Sequence, residues 1–338
     1  MTADSSLSSA IDQQTHRGVL AWLLSRQVFW VVVATLGACL FLSLYTSTFG
    51  TAQNLFNVTR NFAFVGIIAL GMTAVIMTGG IDLSVGSTVL VSAIVTSTLM
   101  ASGLPLSIAM PAALGAALLI GLVNGVFVAV LGMPPFVVTL GMMSIARSLG
   151  MVLSNNKLIY EFGPDQALLF AIGGGSVVFF GLPVPNPLLV MIALALVTGF
   201  AFRWTKWGRH VLAIGGNEHA AVLTGIPVKA VKVSVYMFAA FTAGLTGFLE
   251  VGWLGGVSTG LGTGMELTVI AAAVIGGANL SGGSGSALGA VMGAALIEVI
   301  RNSLILLGIS TFWQGTFVGS AIVLAVAFNK LRDKDTSE

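Results

Sequence analysis

Charge is what this chain has least of. Only 8% of its 338 residues are Asp, Glu, Lys or Arg, while 56% are hydrophobic and the mean hydropathy is +1.01. A water-facing surface cannot be built from so few charges. The single cysteine, Cys39, allows no internal disulfide and gives no support to redox chemistry. Three histidines and one cysteine make a zinc site untenable, and no H-E-x-x-H run occurs. No Gly-Lys dipeptide is present, so there is no Walker A loop and no sign of nucleotide hydrolysis by this chain. No cofactor is expected, nor any nucleic-acid partner. No Pro/Ser-rich linker or charged run divides the sequence, and no secretory cleavage signal is evident near its start.

What is present is apolar length. From Leu83 to Ala146 there are 64 residues without one charged side chain. As helix they would extend about 96 Å, roughly three crossings of a 30 Å hydrocarbon core. Hydropathy and helix breakers predict an all-α, polytopic transmembrane bundle of about ten spans, near 28–48, 56–78, 84–101, 107–131, 135–153, 186–203, 232–252, 267–280, 286–308 and 312–329. A glycine-rich apolar stretch at 167–181 is either re-entrant or spanning. With ten spans, one side collects Arg17, Arg26, Arg203, Lys206, Arg209, Lys229, Lys232, Lys330, Arg332 and Lys334, ten of the fourteen basic residues. The positive-inside rule then makes 1–27 and 331–338 cytoplasmic tails, 28–330 the transmembrane domain, and 204–231 a cytoplasmic loop. Glycine reaches 43 residues, and Gly121 with Gly125, like Gly285, Gly289 and Gly293, has the four-residue spacing that lets helices pack closely.

Inside the apolar background the nine residues GGIDLSVGS, Gly79 to Ser87, recur at Gly276 to Ser284 as GGANLSGGS, with six of nine positions identical. Polar, irregular backbone is tolerated at membrane depth only where protein buries it or water reaches it. The pair therefore reads as a duplicated, helix-interrupting element, with Asp82, Ser84, Asn279 and Ser281 beside a transport path. On the ten-span topology the copies share one orientation, whereas a miscounted span would invert them. Asp82 is expected to cap the following helix through its carboxylate.

The loop segment Ala213 to Lys232 reads as one short capped helix. Asn217 is the N-cap, Glu218 sits at the positive end of the dipole, Gly225 closes the helix and Pro227 prevents its continuation. So short a helix needs a partner surface, and Ala221 with the apolar edge Val222, Leu223 and Ile226 offers one. The alternative is a connection resting on the bilayer. Four charges fall in or near spans: Arg147, Glu250, Glu298 and Arg301. Glu298 and Arg301, three apart, are expected to neutralise each other. Gly256 to Gly260 matches G-x-S-x-G and Gly282 to Gly285 reads GGSG, but His16, His210 and His219 all fall on the other predicted side from Ser258 and none follows Ser284, so neither serine has a base.

At these residues the chain resembles the permease subunits of bacterial sugar ABC importers of the ribose, galactose and autoinducer-2 class. The resemblance runs from about Asn54 to Lys330, through GMTAVIMTGGIDLSVGS at Gly71, LAIGGNEHAAVLTGIPV at Leu212, GTGMELTVIAAAVIGGANLSGGSGSALGAVMGA at Gly262 and RNSLILLGISTFWQ at Arg301. It implies a subunit in the bacterial inner membrane, surrounded by lipid, that pairs with a second permease copy or paralogue. A cytoplasmic ABC ATPase would drive it and a periplasmic sugar-binding protein would deliver a small carbohydrate. Asn217 to Ile226 would then be the coupling helix on the ATPase. A secondary transporter without an ATPase is the alternative, disfavoured by the lack of acidic residues along successive helices.

Overall fold

The computed structural model describes residues 27–320 and 323. The expected tails, apart from Gln27, and residues 321, 322 and 324–329 of the expected span 312–329 lie outside them. The chain forms α1 Gln27–Tyr45, α2 Ala52–Met77, α3 Val85–Ala101, α4 Leu106–Ala129, α5 Pro135–Leu153, α6 Gln166–Gly173, β1 Ser176–Phe179, β2 Leu182–Pro185, α7 Asn186–Trp204, α8 Lys206–Gly216, α9 Glu218–Leu223, α10 Val228–Leu254, α11 Met265–Ile275 and α12 Ala287–Leu306. A 3₁₀ turn, Thr311–Trp313, leads into helix over 314–320. Among the described residues seven helices are long and apolar enough to cross a membrane, and α3 and α11 are shorter apolar helices. Each of the first nine expected spans coincides with one of these helices.

The bundle is built around α2, 83% of whose most apolar window is buried, against 17% for α1 and α5. Outer helices that keep Leu36, Leu40, Leu44, Val137 and Val152 exposed are stable only with lipid against them. Inside, hydroxyls are spent locally. Thr35, Thr96, Ser97 and Ser154 each donate to the carbonyl four residues earlier, which satisfies them without an interhelical partner. Ser92 of α3 instead crosses to the Gly244 carbonyl of α10 at 2.6 Å.

The two glycine ladders are contacts between helices. A Cβ at Gly121 would stand 2.8 Å from Met237 Cα, and one at Gly125 would stand 2.7 Å from Val233 Cα, so α4 and α10 touch backbone to backbone. Gly289 and Gly293 of α12 lie in the same way against the Gly276 and Ala272 carbonyls. Small residues replace the hydrophobic drive that lipid removes.

The stretch 167–181 neither spans nor re-enters as one helix. It is the eight-residue α6, about 12 Å long and far short of a bilayer, followed by the hairpin of β1 and β2, in which Phe179 pairs with Leu182. Phe180 and Gly181, at φ 50° and 81°, make its two-residue turn with both central residues left-handed. The hairpin sits by the start of α2, where Ser176 and Pro183 share a cleft with Ala52 and Phe56. At this same end Asn54 and Asn302 exchange amide hydrogen bonds, 3.2 and 2.8 Å, and Ile159 bridges Val257. Gln27 at the start of α1 donates to the Val274 and Ile275 carbonyls at the other end.

Replacing Gly125 with Leu should force α4 from α10 and cost about 1–3 kcal/mol, read as a lower thermal midpoint of the detergent-purified protein. Gly37→Leu is the control, since nothing lies within 4 Å of that position. Equal midpoints for the two variants would contradict this packing.

Candidate functional site

The two copies of the repeated segment meet. Each follows the end of a helix, α2 or α11, and each precedes another, α3 or α12. In the first, Asp82 Oδ1 accepts from the Ser84 N–H at 2.8 Å and from the Ser84 hydroxyl at 2.6 Å. In the second, Asn279 Oδ1 accepts from the Ser281 N–H at 3.0 Å. The shared geometry is a side-chain oxygen closing a turn onto the residue two ahead, which aspartate and asparagine do equally well. Asp82 therefore does not cap α3 directly: Ser84 occupies the N-cap position, with no side-chain cap bond. The surroundings of the copies differ. Asp82 and Ser84 are buried, whereas Asn279 and Ser281 are exposed.

Asn124, a lone amide near the end of α4, was not singled out in the sequence. It donates through Nδ2 to Ser84 Oγ at 2.9 Å and extends the Asp82–Ser84 chain into the bundle. Its position between Gly121 and Gly125, on the face that meets α10, was the available signal. Thr139 of α5 donates to the Ile81 carbonyl at 3.2 Å and braces the same turn. Asp82 Oδ2 and the Tyr236 hydroxyl are buried without a partner.

The junction of the two turns carries no side chain. Gly283 N–H donates to the Met77 carbonyl at 3.0 Å, joining the second turn to the end of α2. Gly215 of α8 packs onto both groups, and a methyl group there would collide with the Met77 carbonyl and the Gly283 nitrogen. The helix α8 was missed because 204–231 was read as a loop holding one short helix. Thr205 caps it by accepting from Gly208 N–H at 3.2 Å, and its buried positions, Gly208, Val211 and Ile214, fall on one face.

One residue beyond α8 begins α9, capped as the sequence predicted. Asn217 Oδ1 accepts from Ala220 N–H at 2.9 Å, and Gly225 adopts φ +80° after the last turn. Glu218 pairs with Lys232 at 2.6 Å, tying α9 to the start of α10. Ala221 is buried while Val222 and Leu223 are exposed, 55% and 76%. Ile226 is not on that free edge: it packs partly buried against the core.

Of the four intramembrane charges, Glu250, Glu298 and Arg301 come together around a cavity of about 270 Å³, with Asn61, Phe64, Trp253, Met265 and Gln314 also in its wall. The expected Glu298–Arg301 ion pair does not form. Arg301 Nη2 donates to Thr268 Oγ1 of α11 at 3.1 Å, and the one ion pair among the described residues is Lys232–Glu218. Arg147 lies apart, donating to the Thr259 and Leu261 carbonyls at 3.2 and 2.6 Å, where it fixes the loop before α11.

A multi-helix membrane bundle with a capped helix and paired polar turns at one end and a cavity lined by charged residues toward the other fits a membrane transport component. Residues 54–326 match the family described as branched-chain amino acid transport system / permease component, and the chain belongs to it. Among curated relatives it is 40% identical over 278 residues to a probable ABC transporter permease protein, y4mJ, of Sinorhizobium fredii, covering 82% of this chain and 81% of that one. It is 36% identical to the ribose import permease protein RbsC of Escherichia coli over 308 residues, covering 90% and 94% of the two chains. The L-arabinose ABC transporter permease protein AraH of Azospirillum brasilense is 33% identical over 328 residues, covering 96% and 93%. No solved structure matches. The chain is thus a multi-pass permease component of a transport system.

Asp82→Asn keeps the oxygen that receives the Ser84 donors and should be mild in both thermal stability and transport. Asp82→Leu should lose about 1–2 kcal/mol and most transport at matched membrane levels. Equal inactivation of the two variants would show that the charge, not the turn, is needed.

Proposed function

We propose that this chain is the membrane subunit of an ATP-driven importer for a small carbohydrate, a sugar or polyol, in a bacterial inner membrane. The observation that carries the substrate class is that full-length relatives at 33–36% identity are named for ribose and L-arabinose, although the family description names branched-chain amino acids. ATP hydrolysis belongs to a separate cytoplasmic ABC ATPase. A periplasmic sugar-binding protein delivers the solute, and a second permease copy or paralogue completes the pathway. Both termini are cytoplasmic, on the side of α8 and α9.

The docking helix for the ATPase is α9. Six residues cannot hold a helix in water alone, so the caps and the Lys232 tie preserve a shape whose free apolar edge is otherwise unfavourable. The edge of Val222 and Leu223 fits a groove in a partner. Because α8 contacts the ends of both repeated turns through backbone, a displacement of α9 reaches α2 and α12 without a side chain yielding. ATP binding closes the cassettes, shifts α9 and opens the far end of the bundle to the loaded binding protein. Hydrolysis resets it, an alternating-access cycle. A secondary transporter needs neither α9's exposed edge nor its caps.

The test is uptake of labelled ribose, L-arabinose and leucine by cells expressing the permease with its ATPase and binding protein. A carbohydrate should be taken up in an energy-dependent way. Leu223→Asp should abolish uptake and co-purification of the ATPase without affecting insertion, since that side chain is 76% exposed. Gly225→Val should do the same by denying the positive φ, at a cost of about 1–2 kcal/mol. Leucine uptake in place of sugar would overturn the substrate, and uptake surviving ATP depletion would restore the secondary carrier. A reporter active only in the periplasm should be active after Asn156 and silent after Lys334.

A further inference from the structure

We infer that the cavity between α2, α10, α11 and α12 is a binding station on the transport path for one monosaccharide-sized, polyhydroxylated solute, held by Glu250, Asn61 and Arg301 against the indole of Trp253. The inference rests on the carbohydrate reading above and locates the solute at residues other than the repeated turns.

Three features carry it. The first is an unusual carboxylate. Glu250 is 4% exposed within a membrane helix, it lines the cavity, and its Oε2 has no hydrogen-bond partner. A group of that kind is costly to bury and marks a functional site in a membrane interior. The second is the set of polar atoms it shares the wall with. Asn61 Oδ1 and Arg301 Nε are also buried and unpartnered. Two acceptors and one donor without partners thus belong to residues of one cavity wall. A hydroxyl group both donates and accepts, so neighbouring hydroxyls of a sugar or polyol satisfy all three atoms. An aliphatic side chain satisfies none, and an ammonium group leaves Arg301 Nε unmet.

The third feature is size and apolar complement. A cavity of about 270 Å³ lies just below the range of roughly 300–1,000 Å³ typical of sites for drug-sized ligands, which suits one sugar ring and excludes an oligosaccharide. Trp253 presents indole surface for the C–H face of such a ring. That indole is itself held in place, with the Arg60 guanidinium over its ring at 4.2 Å and Phe64 at 5.5 Å centroid distance. The cavity lies toward the end opposite α9, since Trp253 and Glu250 are in the last turns of α10 and Arg301 is near the end of α12. A solute released at that end reaches it first.

The test uses the complete importer in proteoliposomes, with the permease, its ATPase and its binding protein, and the probes D-ribose, L-arabinose, D-galactose and myo-inositol. For whichever probe the wild type carries, Glu250→Leu should lower maximal uptake about tenfold, the loss of one hydrogen bond to the solute. The concentration of loaded binding protein giving half-maximal uptake should not change. Glu250→Gln keeps an acceptor oxygen and should retain most of the rate. Met265→Trp, which fills the cavity without touching the carboxylate, should also block uptake while the purified complex still hydrolyses ATP, and it decides the matter if Glu250→Leu fails to insert. Normal uptake by Met265→Trp, or a Gln variant as inactive as the Leu variant, overturns the station and leaves the carbohydrate reading standing. A wild type that carries none of the four probes overturns the carbohydrate reading itself, and the station with it.

Discussion

The connection of α8 to the repeated turns depends on a contact made only of backbone. The Gly283 N–H meets the Met77 carbonyl at 3.0 Å, and Gly215 lies over both with no room for a methyl group. A side chain at such a place would act as a spring, since rotamers can change to absorb displacement. Backbone packed on backbone transmits displacement instead. The end of α2, the turn between α11 and α12, and the end of α8 must therefore move as one body or separate altogether. Because α2 has the most buried apolar window of the seven long helices, that body is anchored in the core.

The polar content of the membrane domain follows the same logic of enforced satisfaction. Most buried hydroxyls return to their own helix, so they add little that distinguishes one packing from another. The Asp82–Ser84–Asn124 chain is different, because it fixes a turn of α2–α3 to α4 near its end with bonds of 2.6 to 2.9 Å. Losing the Ser84 hydroxyl leaves the Asn124 amide buried without that acceptor and Asp82 with only the Ser84 N–H, and that costs more than the bond itself contributes. The cavity at Glu250 stands in contrast. There buried polar atoms are brought together and left without partners, which is unfavourable for a structural element and useful for one that must bind weakly and release.

Features specified by local rules were legible in the sequence. The caps of α9 could be read because Asn217, Gly225 and Pro227 act within one turn of where they stand, and the repeated turns because Asp82 and Asn279 close onto the second residue ahead. The nine long or apolar helices that match the first nine expected spans were found from hydropathy and helix breakers. What escaped depends on contacts between distant residues. The α8 helix has a clear cap in Thr205, yet its charged start at Lys206 and Arg209 and its glycine end masked an amphipathic face that only packing reveals. The apolar, glycine-rich stretch 167–181 read as re-entrant or spanning, whereas its second half is a hairpin set by the Phe180–Gly181 turn. The Glu298–Arg301 pair was expected from spacing. Three residues along a helix bring side chains near each other, but Thr268 on α11 offered Arg301 a nearer acceptor. No local rule would have brought Asn61, Trp253 and Glu250 to one cavity.

The rigid connection between α9 and the repeated turns is the central claim, and spin-label distances measure it most directly. With Cys39 replaced, one label pair at Val222 and Ser281 reports within the proposed rigid body, and a second at Val222 and Tyr160 reports across the bundle. All three sites are exposed. Cycling the assembled complex between nucleotide-free and ATP-bound states should leave the first distance unchanged and shift the second. A first distance that shifts while the second stays fixed would mean that α9 moves independently of the turns, and would contradict the account.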